Sequence, residues 1–252
     1  MIAFVASMPR SGSMWVYNIS RALIRACGRT PIPEIMSPDE VLRINQAFQI
    51  QLGENEDYII KTHEVLKPDL PGVKIIYTYR DVRDSMLSYM RFMHCGSNVG
   101  INNMIINMQL TDYYFEKHAH NIIRIRYDDI ISTPVIVINK IGDFMDRLVP
   151  QKTAESIADQ FSRENVKKII NTLENVAINE TEKIQGSAEL KDFEIVSNSD
   201  GSYRVIDKKT RFQTNHITSK KEGEWRDVLS EEKKEEVMRL ASDWLKKYDF
   251  SL

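Results

Sequence analysis

The sequence predicts an α/β fold in which helices flank a central, mainly parallel sheet. Three short apolar runs, 2–6, 58–62 and 74–79, have the composition of buried parallel strands. The segment after the first run carries apolar residues at helical spacing and ends at Gly28, a typical helix stop. A fourth run, 121–127, has a similar but weaker strand pattern. Short strands that alternate with helical stretches are typical of strand-helix-strand units around a parallel sheet.

The sequence becomes more polar late in the chain. Residues 192–207 predict a β-hairpin that turns at Asp200 and Gly201, inside a polar insertion over 178–215. An insertion of this kind is a candidate lid or substrate loop, and a passive surface flap is the alternative. We expect residues 1–252 to form a single domain that includes this insertion.

The bulk composition limits the kinds of partner. The 252 residues include 34 basic and 36 acidic side chains, so we expect no bulk electrostatic binding to nucleic acid. No stretch approaches the ~18 apolar residues of a membrane span, and the first residues lack the pattern of a signal peptide. We therefore expect a soluble, cytoplasmic protein without a membrane partner. The isolated Cys27 and Cys95 lack the spacing of a metal site, so no metal is expected.

The stretch 7–15 (SMPRSGSMW) lies between a predicted strand and a predicted helix. Backbone N–H groups at such a junction favour an anion. The loop adds a cation, two hydroxyls, a glycine for close approach and an aromatic ring, from Arg10, Ser11, Ser13, Gly12 and Trp15. No lysine follows the glycine, unlike the loops that bind triphosphates. A plain turn before a core helix is the alternative.

A second group of polar residues follows the run 74–79. Arg80 stands at the end of this strand, and Ser88 lies on the helix that follows. A guanidinium at the carboxyl end of a strand faces the crevice where open α/β sheets bind ligands. Arg83 and Asp84, on the same helix, are interpreted as a solvated helix face.

Lys61 and His63 form the third group. They alternate with apolar positions near the end of a strand, so both point to one side. A lysine and a histidine in that position are costly to desolvate without a ligand or partner. A histidine can take a proton from a hydroxyl or an amine near neutral pH.

Taken in order, these segments resemble the sulfotransferases that use 3′-phosphoadenosine 5′-phosphosulfate (PAPS). Residues 9–15 (PRSGSMW) are similar to the P-[KR]-S-G-T-x-W loop of that family, with serine in place of threonine at position 13. The resemblance implies a P-loop-like fold in which Arg10 contacts the bridging and 5′-phosphate oxygens and Trp15 packs on the adenine. The nucleotide loop it implies consists of Arg10, Ser11, Gly12, Ser13, Met14 and Trp15.

Other matches assign further roles by the same resemblance. Arg80 and Ser88 have the spacing of the arginine and serine that bind the 3′-phosphate in the family. Residues 61–63 (KTH) match the K-[TS]-H strand that carries the catalytic base. Tyr127 takes the place of a tyrosine near the adenine.

Residues 216–227 are by themselves a basic turn before the last helix. They partly match the late R-K-G-x-x-G-D-W motif of the family: residues 223–225 fit its end, whereas 218–220 (TSK) stand where Arg, Lys and Gly are expected. The resemblance implies that this region completes the 3′-phosphate site. The groups available there are Ser219, Lys220 and Lys221.

The function that the resemblance implies is transfer of the sulfuryl group of PAPS to a hydroxyl or amine of a small-molecule acceptor. Its product is adenosine 3′,5′-bisphosphate (PAP), and no metal is needed. His63 is the expected general base, and Arg10 and Lys61 are expected to stabilise charge on the leaving oxygen. A P-loop-type kinase of nucleotides or small molecules and a non-catalytic nucleotide-binding relative stay open as alternatives. The sequence leaves the acceptor and the oligomeric state undetermined.

Overall fold

A computed structural model of the chain describes residues 1–36, 40–67, 71–180, 192–197, 203–214 and 222–252. It contains a five-stranded sheet with the strand order β2-β3-β1-β4-β5. The pairs β2–β3 and β4–β5 are parallel. The predicted α/β class with a mainly parallel sheet is therefore confirmed. The strands are β1 (Ile2–Ser7), β2 (Thr30–Ile32), β3 (Glu56–Thr62), β4 (Val73–Tyr79) and β5 (Ile122–Arg126).

Helices follow the strands along the chain. They are α1 (Ser13–Ala26), α2 (Glu40–Gln49), α3 (Val82–Met93), α4 (Ser97–Lys117), α5 (Tyr127–Ser132), α6 (Pro134–Met145), α7 (Gln151–Gln160), α8 (Arg163–Glu180), α9 (Trp225–Val228) and α10 (Glu231–Lys247). No helix among the described residues is both long and apolar enough to cross a membrane.

The predicted hairpin is present as a separate antiparallel pair, β6 (Phe193–Ser197) with β7 (Tyr203–Asp207). Its predicted turn at Asp200 and Gly201 lies outside the described residues. The side-chain amide of Asn18 in α1 donates to the carbonyl oxygen of Thr210, just after β7. The function of the 178–215 insertion as a lid or a flap stays a prediction.

Sequence analysis missed β2 and the helices α2, α4, α5 and α9. The strand β2 has only three residues and contains Pro31. Proline is tolerated in β2 because this strand lies at the edge of the sheet, where a missing N–H breaks no central ladder.

Contacts between residues divide the chain into two compact units. Unit 1 comprises Met1–Ile2, Met14–Ile60 and Ile138–Ile217, and unit 2 comprises Ala3–Ser13, Lys61–Val137 and Thr218–Leu252. The single-domain expectation for residues 1–252 stays a prediction.

In unit 2, helix α3 packs against α4, α9 and α10 around one apolar core. Members of this core include Met8, Val82, Met86, Met104, Trp225, Val237 and Trp244. Because Met8 and Met86 belong to the same core, the loop after β1 and helix α3 are held by shared packing. This packing positions the candidate site.

In unit 1, the fully buried carboxylate of Asp57 in β3 binds two arginines. Arg29 Nε donates to it over 2.9 Å, and Arg147 donates through Nε over 2.7 Å and Nη2 over 2.8 Å. Burial alone would raise the pKa of Asp57, but the bonds from Arg147 and Arg29 hold that pKa well below its ordinary value. This cluster joins β3 to the segment after α6.

Candidate active site

The loop between β1 and α1 has the backbone of an anion cradle. Arg10 has φ 65° and Gly12 has φ 87°, both in the left-handed region that non-glycine residues rarely adopt. A Cβ atom on Gly12 would lie 2.9 Å from Ile130 Cδ1 and 3.2 Å from a ring carbon of Tyr127. Left-handed residues in a turn direct successive N–H groups to one side, which suits a phosphate or sulfate. The loop therefore fits the predicted ligand class.

The hydroxyl of Ser11 contacts the protein itself. Its Oγ atom is fully buried and lies 2.5 Å from the carbonyl oxygen of Met8 and 2.7 Å from Oγ1 of Thr78. This hydroxyl therefore braces the loop against β4, and the assignment of Ser11 to the nucleotide loop stays a prediction. The backbone N–H of Ser11 is the group left for a ligand. Ser13, also buried, begins α1.

Arg10 extends from this cradle towards α3. Its Nε atom donates to Oγ of Ser88 over 3.1 Å, and its guanidinium lies 4.5 Å from the ring centre of Phe92. Burial, followed by the positive charge of Arg80, lowers the pKa of Arg10 to about 10. Arg10 is thus still charged at neutral pH, and an anion bound between the two half-buried cations Arg10 and Arg80 would relieve their mutual repulsion.

Arg80 lies at the end of β4, where its guanidinium is 4.2 Å from the ring centre of Tyr127. The Nη2 atom of Arg80 is 3.8 Å from a carboxylate oxygen of Asp84. Its Nε atom is buried and has no hydrogen-bond partner among the described residues. A buried donor without a partner is costly, so the guanidinium is suited to an acceptor such as a phosphate oxygen.

The interpretation of Arg83 and Asp84 as a solvated helix face is wrong. Arg83 is 0% exposed and Asp84 is 4% exposed. Arg83 binds the carboxylate of Asp81 through Nε and Nη2, and its guanidinium lies 4.5 Å from the ring centre of Trp225. Asp84 accepts the backbone N–H of Gly223. Both charges are buried because they have partners that the sequence pattern alone does not show.

Lys61 and His63 are brought together at the end of β3, as predicted. The Nζ atom of Lys61 lies 2.6 Å from Nε2 of His63. On the other side of the ring, Nδ1 lies 3.0 Å from the carbonyl oxygen of Ser7 and 3.0 Å from its Oγ atom. Because an ammonium group can only donate, Nε2 is the acceptor and Nδ1 carries the hydrogen. This tautomer presents Nε2 as the basic nitrogen.

Ser7 and Phe92 were not among the predicted site residues. Ser7 is the last residue of β1, which is the neighbour of β3 in the sheet. A polar residue at the end of a strand, beside another strand that ends in a histidine, is a signal that could have identified it. Phe92 carries no comparable signal because its partner Arg10 is distant in the sequence.

The last two residues of the predicted nucleotide loop, Met14 and Trp15, belong to unit 1. Met14 is buried, and Trp15 donates from Nε1 to the carbonyl oxygen of Phe161 over 3.0 Å. This bond fixes the orientation of the indole ring at the start of α1. Ser219, Lys220 and Lys221 lie outside the described residues, so their assignment stays a prediction.

A comparison with known families agrees with this geometry. A family model described as "Sulfotransferase domain" matches residues 3–192. The chain belongs to the sulfotransferase family. The predicted resemblance is thereby confirmed for most of the chain, including the loop at 9–15 and the strand end at 61–63.

Curated sulfotransferases are similar to the chain over a shorter stretch. Sulfotransferase 1A1 of Rattus norvegicus is 24% identical over 201 residues, which cover 65% of this chain and 66% of that protein. Sulfotransferase 1C2 of Homo sapiens is 23% identical over 204 residues, 65% of each protein. The matched part of the chain thus spans slightly less than two thirds of these relatives.

Solved sulfotransferase structures share the fold. Retinol dehydratase in a complex with retinol and PAP has a TM-score of 0.60 at 17% identity, over 100% of this chain and 82% of that chain. Mouse sulfotransferase SULT7A1 complexed with PAP has a TM-score of 0.57 at 14% identity, over 98% and 84% of the two chains. The predicted P-loop-like α/β fold of the chain is therefore confirmed.

Proposed function

We propose that this sulfotransferase moves the sulfuryl group of PAPS to a hydroxyl or amine of a small-molecule acceptor, with His63 as general base. The observation that supports this most is the environment of His63. Its Nδ1 hydrogen faces the carbonyl oxygen of Ser7, and its Nε2 faces the ammonium of Lys61. A base with a fixed tautomer beside a cation is suited to take a proton from a group that attacks an anionic centre.

The nucleotide would be held at both of its charged ends. The backbone N–H groups of residues 11–13 and the guanidinium of Arg10 would bind the phosphosulfate, and Arg80 and Ser88 would bind the 3′-phosphate. Tyr127 would lie near the adenine, with Met14 and Trp15 following the loop. Ser219, Lys220 and Lys221 would complete the 3′-phosphate site. The buried Arg80 Nε atom supports an anion at this end.

When bound, PAPS supplies an activated sulfuryl group. The residues of the chain contribute three things to its transfer. His63 takes the acceptor proton at Nε2, which is worth about 10²–10⁴ in rate. Lys61 and Arg10 place positive charge where charge develops on the leaving oxygen, each contact contributing roughly 1.5–3 kcal/mol. The buried Met8 and the hydroxyl of Ser11 hold the loop that carries Arg10.

The chemistry of the proposed base and the similar structures support a small-molecule acceptor. A single histidine beside a lysine can deprotonate a hydroxyl or an amine. Two similar structures are retinol dehydratase complexes, one with retinol and one with androsterone, each with PAP. We infer that a small hydroxylated or amino compound is the acceptor here too, that the enzyme acts in the cytoplasm, and that neither nucleic acid nor a membrane is its partner.

The family membership disfavours the kinase alternative, and so does the loop, which lacks the lysine after Gly12 that binds triphosphates. The test is release of PAP from PAPS in the presence of a panel of phenols, alcohols and amines. Acceptor-dependent PAP release that is lost in His63→Ala supports the proposal. Acceptor-dependent release that is equal in the variant contradicts the assignment of the base.

A further inference from the structure

A buried carboxylate lies beside the cation proposed to bind the 3′-phosphate. The carboxylate oxygens of Asp84 lie 2.9 and 3.1 Å from the backbone nitrogen of Gly223, and one of them lies 3.8 Å from Arg80 Nη2. One residue further along the same turn, Glu224 accepts two bonds of 2.7 Å from the guanidinium of Arg91. The turn 222–224 is therefore tied to α3 at two points.

An acidic group in this position is electrostatically unfavourable for the proposed ligand. A carboxylate near a phosphate repels it, and burial alone already raises the pKa of Asp84. Its ion pair with Arg80 is long, at 3.8 Å, so the contact with Gly223 is the shorter of its two interactions. The contact with Gly223 gives a geometric reason for the carboxylate: it satisfies the N–H of a residue whose φ of 77° is in the left-handed region.

The positions of residues along α3 show which groups the bond between Asp84 and Gly223 would affect. Asp84 and Ser88 are four residues apart in the same helix, so their side chains share a face, and Arg80 lies two residues before this helix begins and four before Asp84. Tying Gly223 to Asp84 holds the turn 222–224 on the face that carries the proposed 3′-phosphate contacts. This turn directly follows Lys221 in the sequence.

We propose that Asp84 is a positioning residue for recognition of the 3′-phosphate, acting through its bond to Gly223 rather than through its charge. This inference rests on the proposed function, because it assumes that Arg80 and Ser88 meet the 3′-phosphate. It predicts that the contact with Gly223 determines how well the enzyme distinguishes a nucleotide with a 3′-phosphate from one with a 3′-hydroxyl.

The experiment compares the affinity for PAP with that for adenosine 5′-monophosphate, which lacks the 3′-phosphate, by calorimetry. In Asp84→Ala the preference for PAP is expected to fall about tenfold, since a bond that orders the site is lost, while the affinity for the monophosphate changes little. In Asp84→Asn the preference is expected to stay at or above that of the wild type, because the amide oxygen still accepts the Gly223 N–H and the repulsive charge is gone. Asp57→Asn, at a buried carboxylate in unit 1, is the control: its stability falls and its preference for PAP stays unchanged.

The outcomes separate this inference from the proposed function. A wild-type protein without preference for PAP overturns the proposed function itself. A wild-type preference that persists in Asp84→Ala, or that falls equally in Asp84→Ala and Asp84→Asn, overturns only the positioning role of Asp84. If Asp84→Ala does not fold, Asp84→Leu decides, because leucine keeps much of the side-chain volume but cannot accept the Gly223 N–H. A lower preference for PAP in Asp84→Leu supports the inference, and an unchanged one overturns it.

Discussion

The ammonium nitrogen of Lys61 lies 2.6 Å from Nε2 of His63, the nitrogen that the tautomer presents as the base. The two residues are separated by Thr62, whose side chain is buried on the other side of the strand. Strand alternation thus brings a cation and a base to one face at the end of β3. Under the proposed function, His63 would take the acceptor proton and the ammonium of Lys61 would stabilise negative charge on the leaving oxygen.

Replacement of His63 by alanine should lower acceptor-dependent turnover by about 10²–10⁴-fold, because general-base catalysis is lost. The affinity for PAP should stay within a few fold, because His63 is not among the proposed nucleotide contacts. The exposed His120 provides the matched control: His120→Ala should leave the rate unchanged. Steady-state rates and calorimetry check both. A rate in His63→Ala close to that of the wild type would refute the assignment of the base.

Alanine substitutions at Gly12 and Gly28 separate the effect of steric crowding in the loop from the effect of a positive φ. Both have positive φ, but a Cβ at Gly28 meets nothing within 4 Å, whereas at Gly12 it would lie 2.9 Å from Ile130. Gly28→Ala should cost about 1–2 kcal/mol of unfolding free energy from its φ alone. Gly12→Ala should cost more and should also weaken PAP binding. Urea unfolding and calorimetry test this, and equal losses of stability would contradict it.

Arg10 has a backbone conformation that favours glycine, with φ 65°. Arg10→Gly and Arg10→Ala both remove the guanidinium, so both should lose most of the affinity for PAP. Arg10→Gly should nevertheless unfold with a free energy about 1 kcal/mol higher than that of Arg10→Ala, because glycine relieves the left-handed strain. Thermal or urea unfolding of the pair measures this difference. A less stable glycine variant would be evidence against strain at this position.

The buried Asp57 predicts a specific dependence of stability on pH. Its pKa is held below the ordinary value by Arg147 and Arg29, so its stabilising contribution is present at neutral pH and is lost as the pH falls below about 4. Asp57→Asn should therefore be less stable than the wild type at pH 7, by about 3 kcal/mol, and the gap should narrow at pH 3. Urea unfolding at both pH values measures the gap. A gap of equal size at both would contradict the assignment.

The sequence predicts the sheet well because apolar runs such as 74–79 are both long enough and bounded by clear helical patterns. It misses β2 because three residues with a proline give no periodic signal. The burial of Arg83 and Asp84 escapes prediction for another reason. Their charges are compensated partly by residues far away in the sequence, such as Gly223 and Ser251, and only the fold shows these partners.

In the candidate site, too, local features are predicted from the sequence and contacts between distant residues are not. The local motifs predict that Lys61 and His63 point to one side, because strand alternation is a local property. They do not predict that Ser7 fixes the tautomer of His63 or that Ser11 uses its hydroxyl on Thr78, because both contacts cross between strands. The residues at 219–221 stay predictions from the resemblance alone.

The most direct test of the proposed activity is a calorimetric titration with PAP, compared with ADP plus Mg²⁺, each with and without a chelator. The cradle with Arg10 and the buried Nε atom of Arg80 predict that PAP binds more tightly than the magnesium nucleotide and that the chelator leaves its affinity unchanged. A preference for ADP with Mg²⁺ would contradict the account and would remove the reason for assigning His63 as the base of sulfuryl transfer.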